Sequence, residues 1–205
     1  MASAPTKTRG RPRAYDPDVA LRQARDAFWR AGYAATSLDD LARGMGMKRP
    51  SIYAAFGDKR ALYLRAITEY SNASRAWLAG ALAEPGSLRD GLRAVYRDAR
   101  DYYLVGDDEP RGCLLLGTAV TEARRDPQVR DIVESTMTAF TETFAERFEQ
   151  AARDGELGAA APDALGHIAT ATLNTLAVRA RAGASVADLD MLIDATVGVI
   201  CGRRD

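Results

Sequence analysis

The residues with the clearest chemical meaning lie in one stretch, Gly44-Met45-Gly46-Met47-Lys48-Arg49-Pro50-Ser51-Ile52-Tyr53-Ala54-Ala55-Phe56-Gly57. Two glycines within three residues break a helix and allow a tight turn. Pro50 then fits only the first turn of a new helix, because it lacks the N–H that an interior position must donate. In that short helix Ile52 and Phe56 stand four apart and face inward. Lys48 and Arg49 project from its leading end, and Pro50, Ser51, Tyr53 and Ala54 fill its outer arc. Small, polar and cationic groups on an outer face suit something other than water. A helix, a short glycine-containing turn and a second helix of this kind make a helix-turn-helix, whose second helix enters the major groove of double-stranded DNA.

Helical signals surround this stretch, and no segment alternates with the period of a strand. A first helix is expected from about Asp16, as N-cap with Pro17 at the first helical position, to Ala31, with Gly32 as its stop. Leu21, Ala24 and Phe28 give it a buried stripe. Thr36-Ser37 opens a second helix over Leu38 to Arg43, with Asp39 and Asp40 in the first turn, where the helix dipole favours acids. Leu38, Leu41 and Ala42 face inward.

Charge agrees with a nucleic-acid partner. The net charge of zero hides a split: residues 1–65 carry 13 Lys and Arg against 6 Asp and Glu, and the remaining 140 carry 15 against 22. Other classes find little support. The lone His167 has no motif around it, Cys113 and Cys201 are far apart with no metal spacing, and there is no phosphate-binding glycine loop or nucleophile elbow. Catalysis, a metal and a cofactor are therefore not expected. No apolar run approaches the roughly 20 residues of a membrane span, and Met1 to Arg13 has no apolar core of a signal peptide. A cytoplasmic protein without membrane contact is the expectation.

The stretch from Tyr15 to about Leu64 resembles the DNA-binding domain of the tetracycline-repressor (TetR) family. The matching residues are Ala27-Phe28 and Gly32-Tyr33, then Thr36-Ser37-Leu38-Asp39-Asp40-Leu41-Ala42, then Ser51-Ile52-Tyr53-Ala54-Ala55-Phe56-Gly57-Asp58-Lys59-Arg60-Ala61-Leu62. The family often has a Ser or Thr cap where this chain has Lys48. The resemblance implies phosphate contacts from Thr36, Tyr53 and Lys59, which position the protein without choosing a sequence; the alternatives are a core aromatic for Tyr53 and a solvated helix charge for Lys59. It leaves base reading to Arg49, as a bidentate fork on guanine, to Ser51 as a polar reader, and to Pro50 or Ala54 against thymine methyls. Upstream, Arg9 and Arg11 in Arg-Gly-Arg-Pro either insert into an A/T-rich minor groove or touch phosphates indiscriminately.

The expected fold is all-α with about nine helices: a basic arm over 1–14, a helix-turn-helix domain over 15–64, and a helical ligand-binding and dimerisation domain over 65–205. Asp58 caps the fourth helix, which passes through Leu62, Ile67, Tyr70 and Trp77. Ser87 caps a fifth carrying Leu88, Leu92, Val95, Tyr96 and Tyr103. A sixth is expected over Cys113 to Arg124. Asp126-Pro127 starts a seventh, with Val133, Met137, Phe140, Phe144 and Phe148 on one face. Pro162 opens an eighth through Leu165, Ile168, Leu173 and Leu176, and Ser185 precedes a ninth through Leu189, Leu192, Ile193, Val197 and Ile200.

Reading a palindromic operator requires two recognition helices about 34 to 36 Å apart, hence a homodimer. The last two helices are its expected interface, with Ala169, Ala171, Ala177 and Ala180 allowing close approach, the alternative being that they simply close this chain's own core. The resemblance further implies a small apolar or aromatic ligand in a cavity among helices four to eight, whose binding shifts the fourth helix and releases DNA. The chain then acts as a ligand-responsive transcriptional regulator, a repressor in the family's usual sense. Trp77, Tyr96, Tyr103, Met137, Phe140, His167 and Asn174 are candidate lining residues, with ordinary core packing as the alternative for each. Cys113, beside Arg111 at a helix start, joins them either as a reactive thiol or as plain packing. The rival function is an all-helical interaction module whose basic end meets protein or an acidic surface without reading sequence.

Overall fold

The computed structural model describes residues 15–106, 109–158 and 161–202. Arg9 and Arg11 lie outside the described residues. Among those described there are nine α-helices and no strand.

Helix α1, Pro17–Ala35, starts where Asp16 accepts hydrogen bonds from the backbone N–H of Asp18 at 2.8 Å and of Val19 at 3.3 Å. Gly32 does not end it outright. Its φ of 78° kinks the helix, and Tyr33 then packs against Phe28 and Tyr63, with ring centroids 6.2 and 4.8 Å apart. In α2, Leu38–Gly44, Ser37 and Asp40 form a reciprocal capping box. Leu41 is buried, whereas Leu38 and Ala42 are only half-buried. Helix α3 spans Arg49–Phe56, and α4, Lys59–Ala83, is capped by Asp58 through the Ala61 N–H at 2.7 Å.

The rest is a bundle of α5, Leu88–Leu104, α6, Val120–Ala123, α7, Pro127–Arg153, α8, Pro162–Arg181, and α9, Val186–Cys201. The sixth helix differs from expectation: its first part, Leu115–Ala119, is a π-helical turn. A Cβ on Gly117 there would stand 2.7 Å from Arg181 Nη1, so the absence of a side chain leaves room for that guanidinium. Helix α7 packs on α4 and α8, and α5 packs on α8 and α9. Tyr96, Phe144 and Phe148 are fully buried between these layers. Where α7 crosses α8, a Cβ on Gly166 would lie 2.6 Å from the Thr141 carbonyl oxygen.

Two expectations about α8 need correcting. Ile168 points outward, at 45% exposure, and Ala169, Ala177 and Ala180 are buried within this chain's own bundle, leaving only Ala171 of the four exposed. The small residues let α8 nestle against neighbours in the same chain. The exposed apolar face is a different stripe: Ala164, Ile168, Ala171 and Val178 on α8, and Met191, Ala195 and Val199 on α9. Among the described residues, no helix is long and apolar enough to cross a membrane.

Candidate nucleic-acid interface and adjoining cavity

The turn between α2 and α3 is held by Met45 N–H donating to Leu41 O at 2.8 Å and Met47 N–H to Ala42 O at 3.0 Å, with Gly46 at φ 60° between them. Met45 and Met47 are buried and anchor the turn from inside. Beneath α3, Ile52 is fully buried and Phe56 nearly so. Above it, Lys48, Arg49, Pro50, Ser51 and Ala54 are exposed, and Tyr53 is 50% exposed despite its ring. An aromatic left half in water on a short, basic helix is unusual for packing and suits contact with a partner. Lys48 occupies the N-cap position and makes no side-chain bond to the helix.

Arg49 is exposed, yet it has a protein partner. Its Nε donates to Asp39 Oδ1 at 2.6 Å, and its Nη2 meets Asp39 Oδ2. The Arg49 hydrogen bond holds the Asp39 carboxyl below its ordinary range. Lys59, at the first position of α4, places its ammonium 4.4 Å from the centre of the Tyr33 ring. The kink at Gly32 thereby sets the Tyr33 ring beneath a cation at the start of α4. Thr36 does not fit its expected role. It is buried, and its hydroxyl donates back to Gly32 O at 2.6 Å, closing α1 rather than facing outward. Its backbone N–H is also used, donating to Gly32 O at 3.3 Å.

Behind this head lies a cavity of about 330 Å³, bounded by α1, α4, α5, α7, α8 and the segment before α6. Six expected lining residues meet on its wall: Trp77, Tyr103, Cys113, Met137, Phe140 and Asn174. Two do not. Tyr96 is sealed in the core, its hydroxyl donating to Ala169 O at 3.3 Å and its ring stacked near Phe144. His167 is exposed on the far side of α8. The wall includes residues that sequence reasoning missed, notably Arg25, Tyr70, Ser74, Asp98 and Tyr102. The Cys113 thiol receives the Tyr70 hydroxyl at 3.5 Å, and burial pushes its pKa up, opposite to the shift that a reactive thiolate needs. Arg111 does not activate it. That guanidinium lies over the Trp29 ring and 3.6 Å from Asp26.

The cavity and the head share walls. Arg25 belongs to α1, and Tyr102 of the cavity wall lies 5.9 Å from Trp29, centre to centre. Trp29 Nε1 and Arg181 Nη1 both donate to the Arg111 carbonyl, at 2.9 and 3.0 Å, tying α1 to the end of α8. On the opposite side, Arg60 of α4 grips Asp126 through Nε at 2.6 Å and Nη2 at 2.9 Å, and Gln128 at 2.7 Å.

Comparison with known proteins decides the family. Residues 20–66 match the family described as bacterial regulatory proteins, tetR family, and residues 89–196 match the tetracyclin repressor-like C-terminal domain. The chain belongs to the TetR family. Among curated TetR-type relatives, the transcriptional repressor ComR of Escherichia coli is 28% identical over 193 residues, covering 93% of this chain and 91% of ComR. The repressor BdcR of Escherichia coli is 34% identical over 60% of each chain. Among solved structures, a cysteine-substituted form of the TetR-family regulator CifR, in complex with a 26-base-pair operator duplex, superposes with a TM-score of 0.83. It is 30% identical and covers 93% of this chain and all of that one. This TetR-family chain is thus a transcriptional regulator, with the all-α architecture of its relatives.

What sequence reasoning missed in this TetR-family protein has a common origin. Arg25, Tyr102 and the Asp39–Arg49 pair each act across elements. Arg25 offered only its place between Ala24 and Asp26 on a helix already assigned to the reading head. The one signal for Tyr102 was its adjacency to Tyr103, whose ring lies 6.2 Å from its own on the same cavity wall.

Proposed function

We propose that this regulator is a repressor that binds a palindromic operator as a homodimer and is released by a small apolar or aromatic ligand in the cavity behind α1. The reading head comprises residues 15–64, and residues 65–205 bind the ligand and the second copy. The exposed ridge from Lys48 to Ala54 carries the proposal, because its buried underside fixes α3 while its outer side is left for a groove. On that ridge Arg49 and Ser51 read base edges, Pro50 and Ala54 meet thymine methyls, and Lys48, Tyr53 and Lys59 contact phosphates. The repressor names of ComR and BdcR and the operator complex of CifR support the same reading.

Dimerisation is supported by the exposed face of α8 and α9, where Val178, Met191 and Val199 are 56%, 65% and 75% exposed. Apolar groups on two adjacent helices suit an isologous four-helix contact. The cavity is at the small end of the roughly 300–1,000 Å³ usual for ligand sites, and its aromatic wall with Ser74 and Asn174 suits a small, mostly apolar ligand. Such a ligand would act on the head through Arg25 and the Tyr102–Trp29 contact as well as through α4. The protein has no assigned catalytic role in this scheme.

Selection of bound duplexes from a random pool tests the proposal. The expected product is an inverted repeat with half-site centres one helical turn apart. Recovery of no preferred sequence would favour a module that meets protein or an acidic surface, and recovery of single half-sites would refute the dimer.

A further inference from the structure

The pairing of Asp39 with Arg49 is more specific than a surface ion pair. A guanidinium carries five N–H donors in one plane. The Asp39 carboxylate takes two of them along the edge formed by Nε and Nη2. Among the described residues nothing engages the other edge, formed by Nη1 and the outer side of Nη2, where three donors remain. Two parallel donors on that edge match the O6 and N7 acceptors of guanine. Asp39 comes from the first turn of α2 and Arg49 from the first turn of α3, so the clasp spans the turn of the helix-turn-helix.

We propose that Asp39 is a positioning residue for base reading: it clamps the Arg49 guanidinium from behind, aims its open edge at guanine and keeps it off phosphate. This rests on α3 reading DNA. An unclamped arginine on a flexible stem would reach the nearest phosphate, which every sequence offers, and would add affinity without choice. The carboxylate also opposes indiscriminate binding, since its charge repels phosphates unless the guanidinium stands between them. The pair contributes little to the fold. Both partners are more than half exposed, a setting in which an ion pair adds little stability. Its neighbour Asp40 has the structural task instead, in the capping box with Ser37.

The test uses the full chain and the duplex that the wild type recovers from a random pool. Dissociation constants are measured for every single-base variant of that duplex and for a scrambled one, with wild type, Asp39→Ala, Arg49→Ala, the double variant and Asp40→Ala. Asp39→Ala should lose about tenfold of discrimination at the same guanine that Arg49→Ala relaxes, with no further loss in the double variant. On the scrambled duplex Asp39→Ala should bind at least as tightly as wild type, and its salt dependence should steepen by about one phosphate contact per head. Asp40→Ala should lower the melting temperature and leave base preference intact. If Asp39→Ala keeps the guanine preference, or weakens operator and scrambled duplex equally, the positioning role is refuted while DNA reading stands. If the wild type recovers no preferred duplex, the reading of α3 itself fails and the role of Asp39 falls with it.

Discussion

Lys59 offers a sharp separation of fold from function. It occupies the first position of α4, where the helix dipole disfavours a cation, and its ammonium rests over Tyr33, 4.4 Å from the ring centre. The ring contact and the dipole penalty are of similar size, so the lysine adds little net stability. Lys59→Ala should therefore leave the melting temperature unchanged or slightly higher. If each head makes one phosphate contact through Lys59, the dimer loses two, and the slope of log affinity against log salt should flatten by about 1.8. Over a roughly fourfold rise in salt, from about 50 to 200 mM, the ratio of wild-type to variant affinity should then shrink about tenfold. Tyr33→Leu, which removes the ring beneath the ammonium, should reproduce part of that flattening, and Tyr33→Phe, which keeps the ring, should retain the wild-type slope. Fluorescence anisotropy titrations on one operator duplex at four salt concentrations measure this directly. Equal slopes for wild type and Lys59→Ala, or a marked drop in melting temperature, would show that Lys59 is a structural residue and refute the reasoning.

Other consequences follow from the packing and the charges. Gly166→Ala would place a Cβ 2.6 Å from the Thr141 carbonyl oxygen and push α8 from α7, costing about 1–3 kcal/mol, read as a lower calorimetric melting temperature; an unchanged melting temperature contradicts the close crossing. Arg60 and the α7 N–H groups hold the Asp126 carboxyl below its ordinary range, so its stabilising effect is complete above about pH 4 and is lost as pH falls through the lower folded value. Asp126→Asn should accordingly melt with a flatter acid dependence than wild type, and parallel curves would count against the Arg60 link. Ser74→Phe should fill the cavity: quenching of tryptophan emission by a neutral naphthol should saturate in wild type and vanish in the variant, with operator affinity retained in both. Met191→Asp, at an exposed position, should leave the helical content intact and shift equilibrium sedimentation to the monomer; a persistent dimer would place the interface elsewhere.

Helix starts were legible because their causes are local. Asp16, Ser37, Asp58, Ser87, Asp126 and Ser185 each accept a hydrogen bond from an N–H two or three residues ahead, a geometry that residue type and spacing alone prescribe. The inward and outward sides of α3 followed from Ile52 and Phe56 in the same way. Gly32 shows the limit even for local reading. The sequence marks a break there, but whether the chain stops or kinks depends on the ring of Tyr33 finding Phe28 and Tyr63.

The all-α class, the helix order, the helix-turn-helix with its basic outer ridge and most of the aromatic wall behind it were therefore readable from residue types and spacing. Packing between helices set the fate of particular side chains that spacing left open. It turned Thr36 inward to close α1, sealed Tyr96 in the core, left His167 and Ile168 outside, and spent Ala169, Ala177 and Ala180 on contacts within the chain. It also brought Arg25 to the cavity and set Asp39 behind Arg49. Caps and periodicity act within one or two turns of a helix, whereas these pairings depend on the angles and distances between helices, which emerge only when every layer packs at once.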